Sequence, residues 1–137
     1  SIIRHKADEK NQEIVVKLNE DLSACVDSKK MHRALSNLIG NAIKFSPIRS
    51  SIFLNATKEN GVLILTIEDQ GIGIPEELHT QLFDTFTKAR RYGTEGEQPM
   101  GLGLSITKKI VEAHGGKIRF ESKPDKGTIF FMEIPSN

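Results

Sequence analysis

The chain has 137 residues, of which 37% are hydrophobic and 27% are charged, and its formal net charge is +1. This length suits one domain with a single core, and the balanced charge argues against a general nucleic-acid-binding protein. The N-terminus lacks a signal-peptide pattern, and no apolar run approaches the roughly 18 residues of a membrane-spanning helix. The lone Cys25 excludes an internal disulfide and a zinc site built from several cysteines. We therefore expect neither a nucleic-acid partner nor membrane contact for these residues.

The first third of the chain predicts two short strands and one long helix. Residues 1–12 are polar, show neither a helix cap nor a strand pattern, and are predicted to be an unstructured linker. Glu13 to Leu18 and Ala24 to Val26 are rich in β-branched residues, which favours strands. Asp27 is then a suitable N-cap for a helix whose apolar residues recur at three- and four-residue steps until Ser46-Pro47 stops it.

Four strands and two helices are predicted after residue 50. Asn60-Gly61 supplies the positive φ angles of a tight hairpin turn between two alternating strands. A polar segment from Thr87 to Met100 shows little periodicity, and a loop of that length is usually functional or disordered. The predicted elements are the strands Ser51 to Thr57, Val62 to Glu68, Lys117 to Ser122 and Thr128 to Pro135, and the helices Glu76 to about Phe83 and about Leu102 to His114. This order predicts an α+β fold, a two-layer α/β sandwich in which helices cover one face of a mixed sheet.

Polar side chains form a stripe along the first long helix. Asn37, Asn41 and Lys44 stand at i, i+4 and i+7, away from the apolar stripe. An amide oxygen is a hard neutral ligand for Mg²⁺, and an ammonium one turn further on meets phosphate as a point charge. Taken alone, the stripe is better explained as a solvated helix face.

Two glycine-containing motifs lie at element boundaries. Asp69-Gln70-Gly71-Ile72-Gly73 follows an apolar strand, where the carboxylate can accept a hydrogen bond from an adenine amino group and the glycines let a ligand approach the backbone. Gly101-Leu102-Gly103-Leu104 opens the last helix, where free N–H groups favour phosphate. Taken alone, each motif is also explained by local structure, the first as a tight turn with a capping acid. A dinucleotide fingerprint is excluded because Gly101-x-Gly103 follows a polar loop, and the Walker-type phosphate loop is absent.

Five short motifs follow one another along the chain. They are Asn37-x-x-x-Asn41, Asp69-x-Gly71-x-Gly73, Phe83-x-x-Phe86, Gly101-x-Gly103 and Gly127-Thr128. The set resembles the N, G1, F, G2 and G3 boxes of the ATP-binding catalytic domain of two-component sensor histidine kinases. The similarity extends from Ile14 to Ile134. It implies the Bergerat ATP-binding fold, which these kinases share with type II topoisomerases, Hsp90 chaperones and MutL repair proteins.

The resemblance also implies a binding site for Mg·ATP. By this resemblance Asn41 coordinates Mg²⁺ with Asn37 close by, and Lys44 reaches a phosphate. These three residues are the implied catalytic residues. Asp69 binds the adenine amino group. The remaining implied contacts are Phe45 and Ile74 as walls of the base pocket, Gly71, Gly73 and Thr128 lining it, Gly101, Leu102, Gly103 and Leu104 at the phosphates, and the cations Lys88, Arg90 and Arg91 in a lid formed by Thr87 to Met100.

Two positions bear on the choice among functions within this resemblance. Topoisomerases and Hsp90 carry a glutamate where this chain has Asn37, and an amide cannot deprotonate water, so slow hydrolysis and transfer to a protein histidine are expected. An anti-sigma serine kinase, which usually keeps the acidic residue, is one alternative. Pro99-Met100 departs from the Gly-Thr or Gly-Ser of the family lid, and proline has no N–H to donate. This departure motivates a second alternative, a non-catalytic module of the same fold that binds nucleotide or a partner protein.

The phosphoacceptor is expected on another domain, because none of the four histidines suits that role. The resemblance implies that residues 1–12 are a residual linker from a preceding dimerisation and phosphotransfer domain and that residues 13–137 are the catalytic domain. The implied partners are ATP, Mg²⁺, the phosphotransfer domain and, indirectly, a response regulator. The fragment is expected to be cytoplasmic and monomeric, and the sequence leaves open whether its parent is anchored in the inner membrane.

Overall fold

The computed structural model describes residues 2–18, 28–83 and 103–135. Its elements in chain order are α1 (Ile2–Glu9), β1 (Glu13–Leu18), α2 (Ser28–Phe45), β2 (Ser51–Glu59), β3 (Val62–Asp69), a 3₁₀ helix (Glu76–Gln81), α3 (Gly103–Ala113), β4 (Lys117–Ser122) and β5 (Thr128–Pro135). The predicted strand Ala24 to Val26 and the predicted lid Thr87 to Met100 lie outside the described residues. Within the described ranges, no helix combines the length and the apolar character that a membrane crossing requires.

The strands form one mixed sheet in the order β1-β2-β3-β5-β4. β1 pairs with β2 in parallel, and the other three pairs are antiparallel. The β2–β3 hairpin turns at Asn60 and Gly61, whose φ angles of 50° and 77° are the positive values that this dipeptide predicts. β4 and β5 have their predicted bounds, whereas β2 and β3 extend further, to Glu59 and Asp69.

Helices cover one face of the sheet. Alternate residues are buried along β3 from Leu63 to Asp69 and along β5 from Thr128 to Ile134. Leu38 of α2 and Val111 of α3 are fully buried in the same core, and the two helices also pack on each other. This arrangement confirms the predicted α+β two-layer sandwich. It also sets Asp69 and Thr128 on the helix side of the sheet, at the ends of their strands.

Residues 2–9 form a helix, so the prediction that residues 1–12 are unstructured is wrong for them. Ala7 is 2% exposed within the core, and Lys10 and Gln12 just beyond the helix are each 7% exposed. His5 lies in this helix, and its Nε2 is 2.8 Å from Oε1 of Glu9, one turn later. A helix this short is only marginally stable in isolation and depends on contacts with the rest of the domain. A local sequence pattern does not predict such contacts. The assignment of residues 1–12 to a linker from another domain stays a prediction.

The segment after β3 forms a 3₁₀ helix, Glu76–Gln81, where the sequence predicts a short helix to about Phe83. Leu82 is 7% exposed within the core. The ring of Phe83 packs at an angle on Phe120 and Phe130, with centroid separations of 5.8 Å and 6.2 Å. These contacts hold the segment against the β4 and β5 side of the sheet.

Candidate functional site

Asp69 ends β3 on the face of the sheet that the helices cover. Its side chain is 6% exposed. Oδ1 accepts hydrogen bonds from the backbone N–H groups of Gly71, at 2.9 Å, and Thr128, at 3.2 Å. Bonds to an ionised acceptor are stronger than neutral ones and offset part of the cost of burying the carboxylate. Asp69 is therefore a fixed, buried acceptor at the end of the strand.

Ser122 connects three segments around Asp69. Asp69, Thr128 and Ser122 are cross-strand neighbours on β3, β5 and β4. The Ser122 hydroxyl accepts a hydrogen bond from the N–H of Ile74 at 2.7 Å and donates one to the carbonyl of Gly127 at 3.1 Å. It also lies 2.8 Å from Thr128 Oγ1. One hydroxyl thus joins the loop after β3 to the turn between β4 and β5.

The backbone of the loop after β3 is pressed against two other segments. A Cβ atom on Gly71 would lie 2.2 Å from the carbonyl oxygen of Phe45, and one on Gly73 would lie 2.0 Å from that of Lys123. Gly73 also has a φ of 70°, a backbone angle that residues with a side chain rarely adopt. The N–H of Ile72 donates to the carbonyl of Phe45 at 3.1 Å. Close approach of protein backbone therefore requires these glycines, whereas the sequence interpretation attributes them to approach of a ligand.

The polar stripe of α2 is not a solvated face. Lys44 is 5% exposed, and its Nζ lies 5.1 Å from the centroid of the Phe45 ring, within the range of a cation–π contact. Asn37 Nδ2 is 3.4 Å from Thr107 Oγ1 of α3. The simpler interpretation of the stripe is wrong, because Lys44 is buried and Asn37 faces the second helix. Asn41, one turn after Asn37, is partly exposed.

The predicted phosphate-binding end of α3 is only partly described. α3 begins at Gly103, and the partly buried Leu104 packs against the core. The other predicted residues of this region, Lys88, Arg90, Arg91, Gly101 and Leu102, lie outside the described ranges. The described site residues fall into two groups. One group, Asp69, Gly71, Gly73, Ile74 and Thr128, lies at the ends of β3 and β5 and in the loop after β3, where Ser122 bonds to Ile74 and Thr128. The other group, Asn37, Asn41, Lys44 and Phe45, lies on α2 and meets the first where Phe45 contacts Gly71 and Ile72.

A cavity of about 490 Å³ opens beside Asp69. This volume lies within the usual range of small-molecule sites. Its lining includes Asp69, Ser122, Thr128, His79 and Phe120, together with the charged residues Glu68, Glu121, Lys123 and Lys126. Of the described residues that the sequence predicts around the base, Asp69 and Thr128 line it, whereas Phe45, Gly71, Gly73 and Ile74 do not. The His79 ring packs edge-on against Phe120 at 5.0 Å, and its Nε2 lies 2.8 Å from the carbonyl oxygen of Ile74. The cavity therefore combines a fixed carboxylate with an aromatic wall.

Ser122 lines this cavity, as His79 and Phe120 do, and the sequence analysis does not single it out as a site residue. On β4 the side chains on the helix side are Ile118, Phe120 and Ser122. A polar residue at the end of an inward-facing apolar row is the signal that identifies it.

Comparison with known proteins assigns the chain to a family. The family model described as "Histidine kinase-, DNA gyrase B-, and HSP90-like ATPase" matches residues 26–137. The chain belongs to this family. The match spans every residue of the site described above and the lid segment as well. The family and the Bergerat-type fold that the five motifs imply are therefore confirmed.

This ATPase-family domain is similar to domains of sensor histidine kinases. It is 40% identical over 111 residues to the circadian input-output histidine kinase CikA of Synechocystis sp., which covers 81% of this chain and 15% of CikA. The catalytic domain of histidine kinase ThkA shares its fold with a TM-score of 0.83 and 32% identity, covering 98% of this chain and 86% of that one. The chain thus spans a small part of its curated relative and most of a histidine kinase catalytic domain.

Two further structures show related kinases with ligands. ThkA in complex with the response regulator TrrA matches with a TM-score of 0.79 and 30% identity, covering 99% of this chain and 37% of that one. Full-length ShkA in complex with AMPPNP matches with a TM-score of 0.74 and 25% identity, covering 98% of this chain and 29% of that one.

The donor set of this histidine kinase domain includes an acceptor that suits a nucleotide base. The buried carboxylate of Asp69 is an acceptor for an amino group. Within the described ranges, no group of three or more His, Cys, Asp or Glu side chains could hold a metal ion. A cation here would depend on an amide oxygen, such as that of Asn41, and on phosphate oxygens, which are the hard ligands that Mg²⁺ prefers.

Proposed function

We propose that this histidine kinase domain binds Mg·ATP and transfers the γ-phosphoryl group to a histidine of a separate dimerisation and phosphotransfer domain. The observation that carries the proposal is Asp69, a carboxylate 6% exposed and held by two backbone N–H groups beside a cavity. Such an acceptor suits the exocyclic amino group of adenine. The complex of the related ShkA with AMPPNP, an ATP analogue, supports the choice of nucleotide.

Each predicted site residue has a role in this proposal. Asn41 would hold Mg²⁺ with Asn37 close by, and Lys44 would meet a phosphate. Bound Mg²⁺ neutralises charge on the β- and γ-phosphates. The other contacts are Asp69, Gly71, Gly73, Ile74, Phe45 and Thr128 around the base, and Lys88, Arg90, Arg91 and Gly101 to Leu104 around the phosphates.

The transfer exchanges one bond to the γ-phosphorus for another. The bond to the oxygen that bridges to the β-phosphate breaks, a bond to the imidazole nitrogen of the acceptor forms, and ADP leaves with the bridging oxygen. The amide of Asn37 cannot deprotonate water, so transfer to histidine is favoured over hydrolysis. The complex of ThkA with TrrA supports a response regulator as the next acceptor. In this proposal the domain works in the cytoplasm, where ATP is supplied.

Incubation of the chain with γ-labelled ATP tests the proposal. We expect no label on the chain alone, since His79 and His114 are engaged with backbone carbonyls and His5 pairs with Glu9. His32 is exposed on α2, but Arg33 follows it instead of the acidic residue usual after a family acceptor histidine. With the dimerisation and phosphotransfer domain of its parent kinase added, we expect weak, acid-labile label on that domain. The label is weak because the covalent link that raises effective concentration is missing. A partner in which the acceptor histidine is replaced by glutamine is the control and should stay unlabelled.

Each contrary result favours a different function. Acid-stable label on a serine of another protein would favour an anti-sigma serine kinase. Demonstrated ATP binding with no label on a folded partner would favour the non-catalytic module that Pro99-Met100 motivates. Acid-labile label on this chain alone would contradict the expectation that its own histidines are not acceptors.

Asn41→Ala is expected to weaken the binding of Mg·ATP far more than that of metal-free ATP. An amide oxygen that coordinates Mg²⁺ acts only when the metal is present. The expected loss with Mg²⁺ is at least about tenfold, the scale on which even outer partners of metal sites act. Titration with a fluorescent nucleotide, in Mg²⁺ and then in EDTA, measures both affinities. Asn55→Ala, on β2 and outside the site, is the matched control, and equal losses in both buffers would remove Asn41 from the metal site.

A further inference from the structure

The segment Ala7 to Glu13, here called the N-terminal clamp, closes the C-terminal end of α2. Lys10 is 7% exposed although it is charged. Its Nζ donates to the carbonyl of Ile43 at 2.9 Å and to that of Lys44 at 3.3 Å. The last carbonyls of a helix lack intrahelical partners and form the negative end of its dipole. The ammonium group of Lys10 therefore satisfies the very groups that α2 leaves unpaired.

Gln12 adds a second set of contacts to the same helix end. It is 7% exposed, and its Nε2 lies within 3.2 Å of three carbonyl oxygens, those of Ile43, Ser46 and Pro47. Carbonyl oxygens only accept hydrogen bonds, so the atom among them is the amide nitrogen. Two backbone bonds complete the clamp, from the N–H of Arg49 to the carbonyl of Lys10 at 2.9 Å and from the N–H of Glu13 to the carbonyl of Ser50 at 3.1 Å.

The other side of this helix end contacts the loop that holds Asp69. Lys44 and Phe45, in the last turn of α2, are 5% and 8% exposed. The Phe45 carbonyl accepts the N–H of Ile72 at 3.1 Å, and the backbone at Gly71 is so close that a Cβ atom there would lie 2.2 Å from the same oxygen. The N–H of Gly71 in turn donates to Asp69 Oδ1 at 2.9 Å. A continuous set of contacts thus leads from the clamp to Asp69.

We propose that Lys10 and Gln12 are positioning residues of the nucleotide site, and that docking of the clamp and binding of Mg·ATP strengthen each other. The proposal rests on the proposed function and adds a determinant of nucleotide affinity outside the five motifs. Without the clamp, buried carbonyls at the end of α2 lose their donors, so this turn loosens and Lys44 and the Asp69 loop lose their fixed geometry. Coupling between two binding events is reciprocal, so a displacement of α1 that withdraws Lys10 lowers nucleotide affinity.

The test uses the full chain with Lys10→Met, which keeps the length and removes the donor. Lys6→Met, at an exposed position on α1, is the matched control. We expect Lys10→Met to weaken Mg·ATP by roughly tenfold, within the usual range of coupling between sites, and Lys6→Met to leave it unchanged. Affinities are measured at a temperature where a melting curve shows each variant to be folded.

A second measurement needs no variant. In the wild-type chain, Mg·ATP is expected to slow hydrogen exchange at the amides that bond across the clamp boundary, those of Glu13 and Arg49, by a larger factor than at the remote hairpin Glu59 to Val62. The hairpin reports any uniform effect of ligand on the whole domain.

The outcomes separate a structural cap from a positioning role. A lower melting temperature of Lys10→Met with wild-type affinity would overturn the proposal, because the clamp then only stabilises the fold. If this variant does not fold, exchange decides, and equal slowing at the clamp and at the hairpin overturns the proposal. Failure of the wild-type chain to bind Mg·ATP would overturn the proposed function and this inference with it, whereas normal wild-type binding with no effect of the clamp overturns only the inference.

Discussion

Asp69→Asn is expected to remove most of the thermal stabilisation that Mg·ATP gives to the wild-type domain, with the fold retained. A carboxylate is only an acceptor, whereas an amide can present its N–H₂ to the adenine amino group. Losing a hydrogen bond to a charged group costs about 1.5–3 kcal/mol, which corresponds to roughly a hundredfold in affinity at its upper end. Bound ligand at 100 times the wild-type Kd stabilises by about 2.7 kcal/mol, whereas the variant gains only about 0.4 kcal/mol at the same concentration.

The fold is expected to survive because the backbone contacts of Asp69 need only an oxygen acceptor. The amide oxygen of asparagine can still accept the N–H groups of Gly71 and Thr128, now as weaker neutral bonds, at a cost of about 1 kcal/mol. Thermal melts of both proteins, with and without Mg·ATP, measure both effects. Asp125→Asn is the matched control, because Asp125 is exposed and asparagine tolerates its φ of 62°. ATP raising the melting temperature of Asp69→Asn as much as that of wild type would remove Asp69 from the base pocket.

Gly73→Ala is expected to destabilise the domain by about 3 kcal/mol and to weaken nucleotide binding with it. The φ of 70° costs a side chain about 1–2 kcal/mol, and the new Cβ atom would meet the carbonyl oxygen of Lys123 at 2.0 Å. Overpacking against a backbone atom adds about 1–3 kcal/mol. Separation of the two segments would break the bonds from Ile74 N–H to Ser122 and from Asp125 N–H to the carbonyl of Ile72, both 2.7 Å long.

Two other glycines separate the causes of this effect. Gly115 has a φ of 74° and nothing within 4 Å of an added Cβ, so Gly115→Ala measures the backbone cost alone. Gly40 lies in α2 with the same open space and no positive φ, so alanine there is expected to stabilise the domain by about 0.5–1 kcal/mol. Urea unfolding measures the free energy of unfolding of the three variants, which is expected to increase from Gly73→Ala to Gly115→Ala to Gly40→Ala. If the Gly73→Ala domain is no less stable than the Gly115→Ala domain, the backbone at Lys123 can move away from the new Cβ atom at little cost in free energy.

Local patterns predict the elements whose signals lie within the elements themselves. The three- and four-residue spacing of apolar side chains predicts α2, and Asn60-Gly61 predicts the hairpin. β4 and β5 have the bounds that the sequence predicts. These patterns do not predict where an element lies in the fold, since each indicates which face of the element is buried and not which segment covers that face.

α1 and the polar stripe of α2 show what such patterns cannot contain. The helix from Ile2 to Glu9 has no cap signature and is held in place by burial of Ala7, Lys10 and Gln12. Lys44 reads as a solvated lysine in a helical repeat, yet it is 5% exposed. The partners of the segment around α1 come from residues more than thirty positions away along the chain, as the bonds of Lys10 to α2 illustrate.

The sequence by itself determined the family, the layered architecture and the candidate site residues. The family and the candidate residues follow from five motifs in a fixed order, and the layers follow from the periodicity of each element. Both are properties of the order of residues along the chain. Only the tertiary structure decided how those residues are held. It shows the Ser122 hydroxyl between two loops, backbone contacts as the reason for Gly71 and Gly73, and Lys10 and Gln12 at the end of α2. The physical reason is that hydrogen bonds and close contacts depend on the distance between segments in space, which spacing along a sequence does not record.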